Sequence, residues 1–247
     1  MVNSQGWKLD KTIELTETPS SYSVDVQGNV YLGYAHGKMT KYNSDGEELL
    51  NYSLSNQSKI SLIEAINSLK IFLFYQDNQQ ITILDRFSAV PKNYHLRELG
   101  VDFGMMACPS PDNHYWVIEN NPQRLKKIDP NTGSLVMEIQ VSLGDDIYFM
   151  RSLQNLLIVC EGTHLYLFNQ FGSLLNTIKL PGTRYAQMAG DHLLVFDGNG
   201  FRQIDPLTGK IISTTKSPNP EAWGGMKSKE RYLMVSSDAL RFYLKND

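Results

Sequence analysis

One unit recurs six times along the 247 residues of this chain: an apolar strand, a short polar turn, and a second strand ending in a turn-forming residue. The copies run from Asn29 to Asn43, Lys70 to Asp85, His114 to Asp129, Leu156 to Asn169, His192 to Asp205 and Arg231 to Leu244. Their closing residues, 43, 85, 129, 169, 205 and 244, stand 42, 44, 40, 36 and 39 apart. A period near 40 with strand-only content is the pattern of four-stranded propeller blades. The sequence therefore predicts an all-β, six-bladed β-propeller spanning 1–247 as a single domain.

The remaining strands of each blade are readable from turn chemistry. Asp129-Pro130-Asn131-Thr132-Gly133 and Asp205-Pro206-Leu207-Thr208-Gly209 place an Asp acceptor first, a Pro with a preset dihedral second, and a Gly able to take positive φ last. Asn43-Ser44-Asp45-Gly46 and Asn169-Gln170-Phe171-Gly172 do the same without Pro. Each leads into a further strand. A shorter strand precedes each pair, marked by an aromatic residue and a nearby Met: Phe103 with Met106, Tyr148 with Met150, Tyr185 with Met188, Trp223 with Met226. Tyr22-Ser23-Val24-Asp25 and Leu62-Ile63-Glu64-Ala65 occupy the same place in the first two copies. These are expected to be the innermost strands. The last copy stops one strand short, while Trp7 to Leu15 is a surplus alternating strand at the other end. Pairing the two closes the ring and removes two exposed edges.

Only Ser61 to Leu69 carries apolar residues at helical spacing; Val, Ile, Tyr, Phe and Thr dominate the rest. A two-sheet sandwich would explain many short strands but not a unit recurring six times. Lys plus Arg is 23 and Asp plus Glu is 26, a net charge of −3, so no basic surface points to nucleic acid. The longest aliphatic run, Leu156 to Val159, is far short of a membrane-spanning segment. Cys108 and Cys160 lie in apolar strands and are expected to be buried free thiols. No cleavable signal peptide is visible near Met1, which leaves a cytoplasmic chain or an exported one numbered after signal removal.

The turns Asn43 to Gly46, Asp129 to Gly133 and Asp205 to Gly209 resemble the hairpin turns of NHL-type and quinoprotein-type bacterial propeller repeats, over nearly the whole chain. The quinoprotein tryptophan docking motif and eight-blade count are missing, and no Trp-Asp dipeptide ends a strand as in WD repeats. The lone Gly224-Gly225 pair does not indicate kelch repeats, and Ser44-Asp45-Gly46 falls short of a sialidase Asp box. Six-bladed members of the families it resembles include sugar-lactone hydrolases and non-enzymatic envelope proteins that bind partners through one face. The second kind implies a scaffold, cap or plug in a secretion or outer-membrane assembly complex, in the periplasm, with another protein or a membrane-protein complex as partner.

Candidate chemistry is thin. His36, His95, His114, His164 and His192 are scattered, with no metal-ligand spacing. Asp25, Glu64 and Glu221 lie in or beside innermost strands, with Asp145 and Asp146 before a fourth. They are the oxygen donors that a lactonase-like, metal-dependent hydrolase would gather at the axis, and this is the alternative reading. No Gly-x-Ser-x-Gly occurs, Cys108 and Cys160 have no basic neighbour, and Asp197-Gly198-Asn199-Gly200 reads as a hairpin instead of a phosphate cradle. The sequence thus predicts no catalytic centre, no bound metal and no cofactor. It places partner binding on the face carrying Thr16 to Pro19, Asn120 to Gln123, Leu143 to Asp146, Pro181 to Arg184 and Lys216 to Ala222, through Trp223, Arg184, Tyr185, Tyr148, Phe103 and Asp146.

Overall fold

The computed structural model describes residues 6–53, 58–65, 69–85, 91–153 and 155–245. Six antiparallel four-stranded sheets form a closed ring. The first strand, β1 (Trp7–Glu14), belongs to the last sheet. Blade one is β2 (Ser21–Val24), β3 (Val30–Gly33), β4 (Lys38–Tyr42) and β5 (Glu48–Ser53), and blade two is β6 (Leu62–Glu64), β7 (Lys70–Tyr75), β8 (Gln80–Asp85) and β9 (Lys92–His95). Blade three is β10 (Gly104–Pro109), β11 (Tyr115–Glu119), β12 (Arg124–Ile128) and β13 (Leu135–Gln140). Blade four is β14 (Ile147–Leu153), β15 (Leu156–Glu161), β16 (His164–Asn169) and β17 (Leu174–Lys179). Blade five is β18 (Tyr185–Ala189), β19 (His192–Phe196), β20 (Gly200–Ile204) and β21 (Ile211–Lys216). Blade six is β22 (Gly224–Ser228), β23 (Arg231–Val235), β24 (Ala239–Lys245) and β1.

The burial of each strand follows its radial position. Second strands are covered by neighbouring blades on both sides, which is why Ile71-Phe72-Leu73-Phe74-Tyr75 is apolar without alternation and fully buried. Fourth strands face solvent at the rim and tolerate charge, as in Glu48-Leu49-Leu50-Asn51-Tyr52-Ser53, where only Tyr52 is buried. The expected ring closure is present: β1 pairs with β24 from Trp7 opposite Lys245 to Glu14 opposite Ala239. Trp7 also packs edge-on against Tyr232, with ring centres 4.9 Å apart.

The turn mechanism holds in detail. The side-chain Oδ1 of Asn43, Asp129, Asn169 and Asp205 accepts backbone N–H bonds from residues two or more positions on, at 2.8 to 3.2 Å. Those bonds hold the Asp129 and Asp205 carboxyls below the usual carboxylate range. The same turns reach sideways. The turn of blade one covers β1, where Lys11 donates to the Asp45 carbonyl, and Asn176 of β17 donates to the carbonyls of Pro206 and Leu207 in the next blade. The turns of blades one and five thus clasp the outer strand of the blade before them.

Two features depart from the sequence reading. Leu62–Glu64 within the helically spaced segment is the innermost strand of blade two, fully buried, because its place in the ring overrides local periodicity; residues 66–68 lie outside the described residues. A 3-10 turn at Leu96–Leu99 seals the passage from blade two to blade three with buried Leu96 and Leu99.

Candidate functional site

The six innermost strands surround the axis, and residues from four blades close it. Arg151 on β14 is 1 % exposed. Its Nε donates to Glu64 Oε2 on β6, its Nη1 to the Ala186 carbonyl at 3.0 Å and its Nη2 to the Ser23 hydroxyl at 3.2 Å. The guanidinium lies over the Tyr185 and Phe149 rings, 4.5 and 5.2 Å from their centres. Burial works against its charge, but the Glu64 carboxylate outweighs that and raises the guanidinium pKa. Closer to the loop face lies an aromatic layer. Tyr22 stacks on Tyr185 at 5.0 Å and meets Trp223 edge-on at 5.3 Å. The Gly225 N–H donates to the Tyr22 hydroxyl at 3.0 Å. A Cβ on Gly224 would stand 2.5 Å from the Tyr22 ring, and one on Gly225 would stand 2.5 Å from the Phe196 ring. The glycine pair exists for this close approach.

On the other side of Arg151 a cavity of about 970 Å³ opens toward the face made by first-to-second-strand and third-to-fourth-strand turns. Its walls include Phe72, Tyr94, Tyr115 and Met188, its rim Lys70, Lys92, Lys227, Lys229 and His114, and its floor Arg151, Glu64 and Tyr185. Asp25 also lines it but is consumed by its own turn: the N–H groups of Gln27 and Asn29, the Asn29 amide and the Tyr31 hydroxyl all donate to it at 2.8 to 3.0 Å. Burial pushes the Tyr115 and Tyr185 hydroxyls up, so both are neutral donors at physiological pH. His114 Nδ1 stands 3.1 Å from Asp112, whose carboxyl is held well below the usual range because bonds from Lys127, Ser110 and His114 outweigh its burial.

The carboxylates of the hydrolase reading are dispersed. Asp25 is locked in a turn, Glu64 is bound by Arg151, and Glu221, Asp145 and Asp146 are exposed on the loop face. Among the described residues no three His, Cys, Asp or Glu side chains gather at one point. Cys108 and Cys160 are free and buried, and burial pushes both thiols up.

The loop face is held together by bonds between outer-to-inner connections and second-to-third-strand turns: Leu15 to Asp238, Val141 to Gln123, Gly182 to Gly162, Ser217 to Asn199. Of the expected contact residues, Phe103 and Tyr148 are 45 % and 41 % exposed, and the Arg184 guanidinium lies over the Tyr148 ring at 4.0 Å. Asp146 is exposed beside them; Trp223 is half-buried, and its indole N–H is buried without a partner among the described residues. Tyr185 is a correction: it is 1 % exposed, turned inward as the cavity floor, and offers nothing to that face. Also unforeseen was Glu161. Its carboxylate accepts from Thr163 at 2.9 Å, from the Gly144 N–H, and lies 2.7 Å from His164 Nδ1.

Fold and site together define a six-bladed propeller plugged at mid-axis and open to a cavity on one face. No family model and no curated protein matches the chain. Solved structures do. A catalytically inactive virginiamycin B lyase from Staphylococcus aureus, crystallised with quinupristin, is similar with a TM-score of 0.68 and 17 % identity, covering 96 % of this chain and 99 % of that one. A streptogramin B lyase gives 0.66 at 15 % identity, covering 98 % of each. The WD40 domain of Neurospora crassa Pan2 gives 0.65 at 10 % identity, covering 100 % of this chain and 98 % of that one. At these identities the likeness shows the fold. It also corrects the expectation of a chain without catalytic function, since two of these three similar structures are lyases.

Proposed function

We propose that this propeller binds another protein through the face built by its outer-to-inner connections and second-to-third-strand turns. The Arg184 guanidinium stacked on the exposed Tyr148 ring, with Phe103 and Asp146 on the same face, supports the reading. Arg and Tyr held in place before a partner arrives lose little freedom on binding, and such residues carry much of the energy of protein interfaces. The loops that display them are fixed by bonds between connections and turns. In its finer form the protein is a scaffold, cap or plug of a secretion or outer-membrane assembly in the periplasm; that form rests on the family resemblance alone.

The experiment is a paired capture from native extract with the parent chain and the Tyr148→Ser/Arg184→Glu variant. A partner retained by the parent and lost by a variant of unchanged melting temperature supports the reading, and its identity reports the compartment. The same proteins on both baits would sink it.

A further inference from the structure

The cavity on the opposite face has a charge balance that the rest of the chain does not share. Five cationic side chains line it, Lys70, Lys92, Lys227, Lys229 and Arg151, in a chain whose net charge is −3. The two lining carboxylates are already engaged, Asp25 by four donors and Glu64 by Arg151. Among the described residues none of the four lysine amines has a carboxylate within ion-pair distance. Lys70 stands opposite Asp85 in the strand register, and the Lys227 amine lies over the Tyr232 ring, which is not part of the cavity lining; the Lys92 amine lies over the cavity's own Tyr94 ring at 4.8 Å, so Lys92 and Lys229 carry the argument.

A second observation comes from the floor. Tyr185 lines it, its ring held under the Arg151 guanidinium at 4.5 Å. Between floor and rim the wall is apolar and aromatic, from Phe72, Tyr94 and Tyr115. The volume of about 970 Å³ is that of a small-molecule pocket.

We propose that the axial cavity binds a small organic anion. Its carboxylate or phosphate is held at the rim by Lys92 and Lys229, and its apolar body lies against Phe72, Tyr94 and Tyr115 above the Tyr185 ring. The site is independent of the protein-binding face: the Arg151–Glu64 pair and the aromatic layer of Tyr22, Tyr185 and Trp223 separate the two.

The test titrates the full chain with 2-naphthyl phosphate, 2-naphthoate and neutral 2-naphthol by calorimetry. At least one anion binds below about 1 mM, and at least tenfold tighter than the naphthol; the tighter of the two anions tells phosphate from carboxylate. Lys92→Gln/Lys229→Gln, both exposed positions, lowers anion affinity about tenfold and leaves melting temperature and naphthol binding unchanged. Lys179→Gln on β17 changes nothing. Equal binding of naphthol and both anions, no binding of either anion, or anion affinity unchanged in the double variant each overturns the proposal.

Discussion

Arg151 and Glu64 stand 87 residues apart in the chain and meet across the propeller axis, the first drawn from blade four and the second from blade two. With the Ser23 hydroxyl of blade one and the Ala186 backbone carbonyl of blade five, this pair links four of the six blades. Both side chains are almost fully buried, at 1 % and 6 % exposure. A charge so placed is costly without its partner, whereas removing both can cost much less.

Arg151→Met is therefore expected to destabilise the protein by about 3–5 kcal/mol, because it removes the guanidinium from a buried carboxylate. Arg151→Met/Glu64→Leu is expected to be more stable than Arg151→Met alone. Urea midpoints of the two single variants and the double variant measure the coupling. If the two losses simply add, the ion pair is not the element that closes the axis.

Glu161 supplies a pH dependence. Burial raises its pKa, but bonds from His164, Thr163 and the Gly144 N–H together outweigh burial and hold the carboxyl below its usual value. A folded-state pKa below the unfolded one, about 4.3 for Glu, gives stability that is complete above that value and lost as pH falls through the folded one. Glu161→Gln is expected to cost about 1.5 kcal/mol or more at neutral pH. The gap between parent and variant should close as pH drops below about 4. Urea midpoints from pH 3 to pH 7 check this; a gap that stays constant with pH contradicts the assignment.

What was legible in the sequence, and what was not, divides by distance along the chain. Asn43, Asp129, Asn169 and Asp205 act on backbone two to four residues away, so their turns and the blade count could be read from local chemistry. The surplus strand at Trp7–Glu14 was readable because its absence from the last repeat left a countable gap. Arg151 carried one local signal, a charge directly after the apolar run Ile147–Met150, but its partners lie 35, 87 and 128 residues away. Tyr185 was expected on an innermost strand, as a contact residue of the loop face. The packing of its ring between Tyr22 and Arg151, which come from other blades, makes it part of the cavity floor instead. The cavity itself is made by turns of separate blades and has no contiguous sequence to announce it.

The lateral clasps between blades can be isolated at one glycine. Gly172 sits at φ +73, and a Cβ there would meet Ile139 of the preceding blade at 1.8 Å. Gly190 has a similar φ of +65 with nothing within 4 Å. Both Gly→Ala changes cost about 1–2 kcal/mol from the left-handed backbone alone. Gly172→Ala is expected to cost at least about 1 kcal/mol more, because the Ile139 side chain must leave its place on β13. Equal melting temperatures for the two variants would mean that the turn of blade four does not bear on blade three.

Ring closure makes the last and largest prediction. β1 supplies the outer strand of blade six, and its Trp7 ring fills the space between Tyr232 and Tyr243. Deleting the residues before Leu15 leaves β24 as an open edge, with an unpaired row of backbone N–H and C=O groups from Ala239 to Lys245. An exposed edge of that length recruits other strands, so the truncated chain is expected to aggregate and to melt well below the parent. A circular permutant that joins β1 directly after β24 and opens the chain at the Thr16–Pro19 connection keeps every strand pair and should remain monomeric. Light scattering and thermal melts on the two variants separate the outcomes. A truncated chain that stays monomeric with the parent's melting temperature would show that the ring does not depend on the terminal strand.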